Sequence, residues 1–307
     1  MIAKARAAML AREESEVSIL ERLGFGPEER VVVVHVDDLG MSHAANAGGV
    51  RALGDAATCG SIMVPCPGFD EIARIAHQRP ALDLGVHLTL NCEYAGYRWP
   101  PVSKEARSLM ARDGGMWETT RETVEHASPE DVEMEMRAQL DRALAAGIDV
   151  THVDAHMGTV FDLKFVDSYF RLAQEYRLPA FVPRLRARDL PAHGLPDRLA
   201  DYARRIDAAE AAGFPIFDHF DADSLEFPPG TGLAHNEKRL GRLGPGLSYL
   251  ITHCAEGGAE LESITRDWRQ RDEEHQIYSD GRMRAALESR GMRTIGMRAL
   301  RDLLRAS

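Results

Sequence analysis

Val31-Val32-Val33-Val34-His35-Val36-Asp37-Asp38-Leu39-Gly40 is the stretch on which the reading of this chain turns. Four consecutive valines and a fifth after His35 make an almost unbroken apolar run. Such a run marks a strand buried on both faces, the kind found in parallel sheets covered by helices. Two carboxylates then stand side by side where the strand ends. Successive strand residues face opposite sides, but the pleat relaxes at a terminus, so Asp37 and Asp38 can take different parts around one centre. The plainer alternative is an acidic turn in which Asp38 caps a helix starting near Ser42.

Outward from this strand the sequence alternates. Strand-like runs occupy 61–65, 82–90, 150–155, 180–185, 215–219, 247–253 and 293–297, and helical patterns fill 44–53, 69–77, 129–146, 164–176, 196–212, 259–272 and 280–290. Alternating strands and helices imply parallel pairing through right-handed crossovers. Eight candidate strands predict a distorted (β/α) barrel of the TIM-barrel type. No Pro/Gly/Ser-rich linker divides the chain, so residues 31–307 are expected to form a single domain. Residues 1–30 precede it as a helical extension. Within that extension Ile2 to Leu23 reads as an amphipathic helix, with Leu10, Val17, Leu20 and Leu23 on one side, placed on the barrel exterior or against a second subunit in a homodimer. Residues 91–128 interrupt the rhythm as an inserted lid or binding loop holding Tyr94, Tyr97, Trp99 and Trp117.

Composition narrows the partners. A net charge of −11 without basic runs argues against nucleic acid and anionic membranes, which need clustered Lys and Arg, and leaves a neutral or cationic small molecule as the fitting partner. The apolar stretch at the N-terminus is too short for a membrane span and is cut by Arg12-Glu13-Glu14. The four cysteines show no CxxC pairing, as suits reduced thiols in a cytoplasmic protein.

Chemistry-bearing residues recur at strand ends. His87 ends Leu84-Gly85-Val86-His87-Leu88, His156 ends Thr151-His152-Val153-Asp154-Ala155-His156, and His253 ends Leu250-Ile251-Thr252-His253. Parallel barrel strands bring such ends to one rim, where active sites are built. Two imidazoles and a carboxylate form an open site for one divalent metal ion, so Asp38, His87 and His156 are the expected ligands. Asp37 is expected to be the general base or to hold and orient it, and His253 either the general acid or a helix-capping or core histidine. His152 and Asp154 orient a ligand, close the strand end or touch the substrate. Arg184, after another strand, is expected to touch the substrate, to pair with a catalytic carboxylate, or to be a surface arginine. The acidic cluster from Asp218 to Asp223 is a rival metal site or a solvated turn.

These segments carry a resemblance. VVVVHVDDLGMSHAAN, GVHLTLN, THVDAH and ITHCAEGG, with Trp268 and Arg271 downstream, resemble the YdjC-like carbohydrate deacetylases, part of the wider group of metal-dependent polysaccharide deacetylases on a distorted (β/α) barrel. The resemblance implies removal of an acetyl group from an N-acetylated sugar or oligosaccharide, with Asp38, His87 and His156 as metal ligands and Asp37 as base. The family associates with magnesium, whereas two histidines favour zinc. His253 precedes Cys254-Ala255 where the family has Pro-Gly, and Met157-Gly158-Thr159 stands where relatives carry further histidines. The four aromatic residues of the insertion, Trp99 among them, are expected to stack on sugar rings or, for two of the four, to form a small satellite core under the loop. Two other classes stand beside this one. One is a different barrel enzyme, either a metal-dependent sugar isomerase or a phosphoesterase, and the other is a non-catalytic sugar-binding relative.

Overall fold

The valine run forms a strand on which the sheet is centred. In the computed structural model, which describes residues 18–184 and 195–306, a helical turn α1 (Ile19–Arg22) leads to β1 (Arg30–Leu39), followed by α2 (His43–Ala52), β2 (Cys59–Ile62), α3 (Phe69–Gln78) and β3 (Leu84–Leu88). The insertion carries α4 (Thr120–His126). Then come α5 (Pro129–Ala145), β4 (Val150–Ala155), α6 (Val166–Glu175), α7 (Leu195–Ala211), β5 (His219–Asp221), α8 (Gly232–Leu240) and β6 (Gly246–Thr252). α9 (Ala259–Ile264), α10 (Trp268–Ser279), α11 (Arg282–Ser289), β7 (Arg293–Thr294) and α12 (Met297–Ala306) follow.

The strands run β4-β3-β2-β1-β6-β5, all paired in parallel, with β7 joined to the start of β1. The ring closes through the 180–183 segment, which bridges Val153 at Ala180 and Phe217 at Pro183. Phe181 N–H donates to the Val153 carbonyl at 2.9 Å, and Phe217 N–H donates to the Val182 carbonyl at 2.9 Å. The result is the distorted (β/α) barrel. Pro179 and Pro183 have no N–H to give a ladder, so the strand expected over 180–185 is reduced to these bridges. Leu185 lies outside the described residues.

Alternation along β1 sorts the core. Val31 and Val33 point inward to meet Cys59, Phe181, Phe217, Leu247 and Tyr249. Val32, Val34 and Val36 point outward under the helices, among Ala52, Ile72, Leu84 and Leu250. Leu20 of α1 and Met297 and Leu300 of α12 join the interior cluster and close the end of the barrel where β1 begins. The described end of the expected N-terminal helix therefore packs into the barrel floor and not on its exterior; residues 2–17 of that helix lie outside the described residues.

The single helix expected over 259–272 is two. Thr265 Oγ1 donates to Asp267 Oδ1 at 2.6 Å, and the same oxygen accepts from Arg271 Nε at 2.9 Å, which turns the chain between α9 and α10. The insertion is mostly a satellite core. Trp99 is 1% exposed among Met41, Met63, Cys66, Cys92 and Met116, with its Nε1–H on the Asn91 carbonyl at 3.1 Å. Trp117 donates to the Ser108 carbonyl at 2.8 Å and stacks on His126. Tyr97 donates to the Met41 carbonyl at 2.9 Å. Among the described residues, no helix is long and apolar enough to cross a membrane.

Candidate active site

The inward face of β1 continues from Val31 and Val33 through His35 to Asp37, so alternation alone turns Asp37 into the barrel mouth. Asp38 should then point away, and a bulge reverses this. Val36 pairs with Gly60 but Leu39 pairs with Ile62, so β1 carries one residue more than β2 across that step. An extra residue of this kind re-aims a side chain. Asp38 sits in the left-handed region, φ 64°, which a residue with a Cβ adopts at a cost of about 1–2 kcal/mol. Ser42, whose Oγ accepts from Ala45 N–H at 3.2 Å, caps α2. Asp38 is left to the cavity.

His87 on β3 and His156 after β4 meet Asp38 there, each with one ring nitrogen committed elsewhere. His87 Nδ1 lies 2.9 Å from Asp154 Oδ1 and turns Nε2 toward Asp38 Oδ1 at 3.5 Å. His156 Nε2 lies 2.9 Å from Glu93 Oε2 and turns Nδ1 toward the same oxygen at 3.3 Å. A carboxylate behind each ring takes its N–H and leaves a lone pair facing forward, the arrangement seen for metal-binding histidines. Asp38 Oδ1 is buried without a hydrogen-bond partner, since neither imidazole reaches it with bonding geometry. Asp38 Oδ1 and its two nitrogen neighbours lie within 4.8 Å of one another. Those separations suit ligands about 2.0–2.2 Å from one divalent ion.

Charge supports the same placement. Burial opposes ionisation of Asp38, yet the Arg271 guanidinium, 2.7 Å from its Oδ2, with the His156 and His87 imidazoles beside it, holds the carboxyl well below the usual range. Burial disfavours the cationic form of His156, but Glu93 and Asp38 push it up to about 9. His87 is likewise raised, against burial, by Asp154 and Asp37. Such a cluster binds cations, and in their absence holds protons.

Asp37 lies beside this trio. His35 Nδ1 holds its Oδ1 at 2.6 Å, while Oδ2 stands 3.7 Å from His87 Nε2 and 3.9 Å from His253 Nε2. A buried chain backs His35. Its Nε2 meets His152 Nε2 at 2.8 Å, His152 Nδ1 meets Thr151 Oγ1 at 2.9 Å, and Thr151 donates to Asp83 Oδ1 at 2.5 Å. Burial and then His35 lower His152 to about 3, so it is neutral. With Thr151 donating to Asp83, His152 gives Nδ1–H to Thr151 and accepts at Nε2 from His35. His253 has its own support. Ser224 Oγ donates to Glu274 Oε2 at 2.6 Å and faces His253 Nδ1 at 3.0 Å, and His253 N–H donates to the same carboxylate at 2.7 Å.

A cavity of about 690 Å³ opens over these groups; Asp37, Asp38, His87, Glu93, His156, His253 and Arg271 line one part of it. Asp37, Asp38, His87, His156 and His253 thus come together. Four other candidates do not reach it. His152 and Asp154 are buried beneath the site, 0% and 3% exposed, and bond to the residues named above. Arg184 turns to Glu210 at 2.9 Å. Trp99 is enclosed by its satellite core, and Tyr94 is the aromatic of the insertion that faces the cavity. The 218–223 cluster is laced by arginines. Asp221 takes Arg239 at 2.8 Å and Arg242 at 3.0 Å, and Arg242 also binds Asp223 at 2.7 Å. Sequence reasoning missed His35, Glu93, Ser224 and Glu274. Glu93 had a signal, being the first carboxylate after the His87 strand.

Residues 31–289 match the model of a family described as YdjC-like protein. The chain belongs to the YdjC-like family. A carbohydrate deacetylase of Thermus thermophilus is 34% identical over 294 residues, covering 94% of this chain and 100% of that protein. A carbohydrate deacetylase of Geobacillus stearothermophilus is 26% identical over 273 residues, covering 88% and 97%. A solved structure from Enterococcus faecalis, provisionally described as a cellobiose-phosphate cleavage protein, superposes with a TM-score of 0.72 at 20% identity over 89% of this chain and 99% of that one. The YdjC-like match spans β1 to α11 and so includes all of the residues gathered at the barrel mouth.

Proposed function

We propose that this protein is a metal-dependent hydrolase that removes the acetyl group from an N-acetylated sugar or oligosaccharide, and that residues 31–307 work as one domain. One observation carries the reading: a buried carboxylate oxygen, Asp38 Oδ1, lacks a hydrogen-bond partner and faces the free nitrogens of two carboxylate-backed histidines at the floor of a cavity. Asp38, His87 and His156 fit one divalent ion, zinc or magnesium. Bound there, such an ion makes water more acidic and polarises an amide carbonyl.

The chain's own groups supply the rest. Asp37 Oδ2 accepts the proton of the attacking water, its other oxygen being fixed by His35. His253, oriented by Ser224 and Glu274, delivers a proton to the departing nitrogen, because an amide nitrogen leaves poorly as an anion. The C–N bond breaks, releasing acetate and the free amino sugar. Arg271 and Glu93 hold Asp38 and His156 in place. No lysine lines the cavity among the described residues, which counts against an isomerase relying on one. The names of the similar deacetylases support the substrate class.

Metal-reconstituted protein is expected to release acetate from N-acetylated sugars, and His156→Ala to lose at least roughly 10²-fold in rate, a ligand being worth no less than its outer partners. Acetate assays of the two proteins side by side check this. Equal rates remove the proposed site.

A further inference from the structure

The cavity continues beyond the carboxylates and histidines, and the hydrolysis described above makes no use of the continuation. Its wall is built from Phe161, Phe170, Phe181, Ile206, Phe220 and Ile251. Polar groups on that side are engaged with protein: the Tyr202 hydroxyl donates to the Phe161 carbonyl, and the Arg205 guanidinium holds Asp167 at 2.7 and 2.9 Å. At the rim Met157, in a left-handed kink with φ 51°, is 52% exposed. A sugar hydroxyl placed against this wall would lose water and gain no partner. The methyl of an acetyl group fills little of about 690 Å³, which lies within the ~300–1,000 Å³ typical of drug-sized ligand sites.

We propose that the substrate is an N-acylated amino sugar bearing a hydrocarbon group of several carbons, which seats against the phenylalanine and isoleucine wall while the amide lies at Asp38, His87 and His156. This rests on the hydrolase reading. The hydrocarbon belongs either to the aglycone or to a longer acyl chain; both present the same surface, and direct comparison separates them.

Three probes suffice: the methyl glycoside of N-acetylglucosamine, its octyl glycoside, and the methyl glycoside carrying N-octanoyl in place of N-acetyl, each below its micelle concentration. In calorimetry with metal-free protein, one octyl-bearing probe binds at least roughly tenfold tighter than the methyl N-acetyl probe, as burial of several methylenes requires. With metal-loaded protein the same probe has the higher kcat/KM by a similar factor, and its identity assigns the aglycone or the acyl side. Ile251→Thr and Phe170→Ser reduce that ratio several-fold; each position is partly exposed and tolerates a smaller side chain. Equal binding of all three probes, or an octyl preference unchanged in both variants, overturns the proposal. If none is hydrolysed, the hydrolase reading fails, and the calorimetric ratios still decide the compartment.

Discussion

At the residue scale, the site is organised by what stands behind each reacting group. His87 and His156 have one nitrogen each held by Asp154 and Glu93, and Asp37 has one oxygen held by His35. His35→Ala is expected to lower kcat by about 10²-fold with KM little changed, since a carboxylate loosened by an ångström loses about that much. Steady-state kinetics on an N-acetylated sugar and metal titration of the variant check it, and His35→Gln, which keeps an N–H, recovers part of the rate. The raised His156 and His87 have a second consequence. In the metal-free protein His156 keeps its proton up to about pH 9, against 6.5 unfolded, so a cation must displace protons at neutral pH. Metal affinity is therefore expected to rise with pH from neutrality through about 9, as calorimetry at a series of pH values reads. Among the residues gathered at the barrel mouth, Asp37, Asp38, His87, His156 and His253 were legible in the sequence because each ends a recognisable strand. His35 was not, because a histidine within a valine run has no sign of its own. Only the fold reveals that it meets His152 across the barrel.

At the element scale, close backbone approach places His253. A Cβ on Gly48 of α2 would stand 2.6 Å from the Ala255 backbone, so the helix seats against the segment after β6 only because that position has no side chain. Gly48→Ala is expected to destabilise by about 1–3 kcal/mol through overpacking and to lower kcat as the 253–256 segment moves. Urea unfolding beside steady-state kinetics checks both effects; full retention of each would show that the contact yields freely. The break between α9 and α10 acts in the same way, since a continuous helix over 259–272 would not carry Arg271 to Asp38 by this turn. The periodicity of that segment reads as one helix, because the side-chain bonds of Thr265 and Asp267 that turn the chain leave no mark on hydrophobic spacing. The insertion teaches a similar lesson. Its aromatics suggest a sugar platform, but Trp99, Trp117 and Tyr97 each spend a polar atom on a backbone carbonyl and hold the loop's own core.

At the scale of the whole molecule, the proposed ligands come from the ends of β1, β3 and β4, so a cation there ties distant parts of the chain together. Adding zinc or magnesium to metal-free protein at about 100 times its Kd is expected to contribute about 2.7 kcal/mol and raise Tm by several degrees. A chelator reverses the shift, and Asp38→Asn abolishes it; thermal melts of the two proteins with and without metal check this. Local chemistry was enough to read much of the architecture: the valine run and the strand-helix alternation express preferences that neighbouring residues set among themselves. The strand-end carboxylates and histidines were legible for the same reason. Tertiary structure alone settled which of two adjacent aspartates faces the mouth by way of a bulge, how prolines shorten one strand of the ring, and that one wall of the cavity is apolar. Each of these depends on pairing register or on contacts between residues far apart in the chain, and sequence spacing carries no record of such distances.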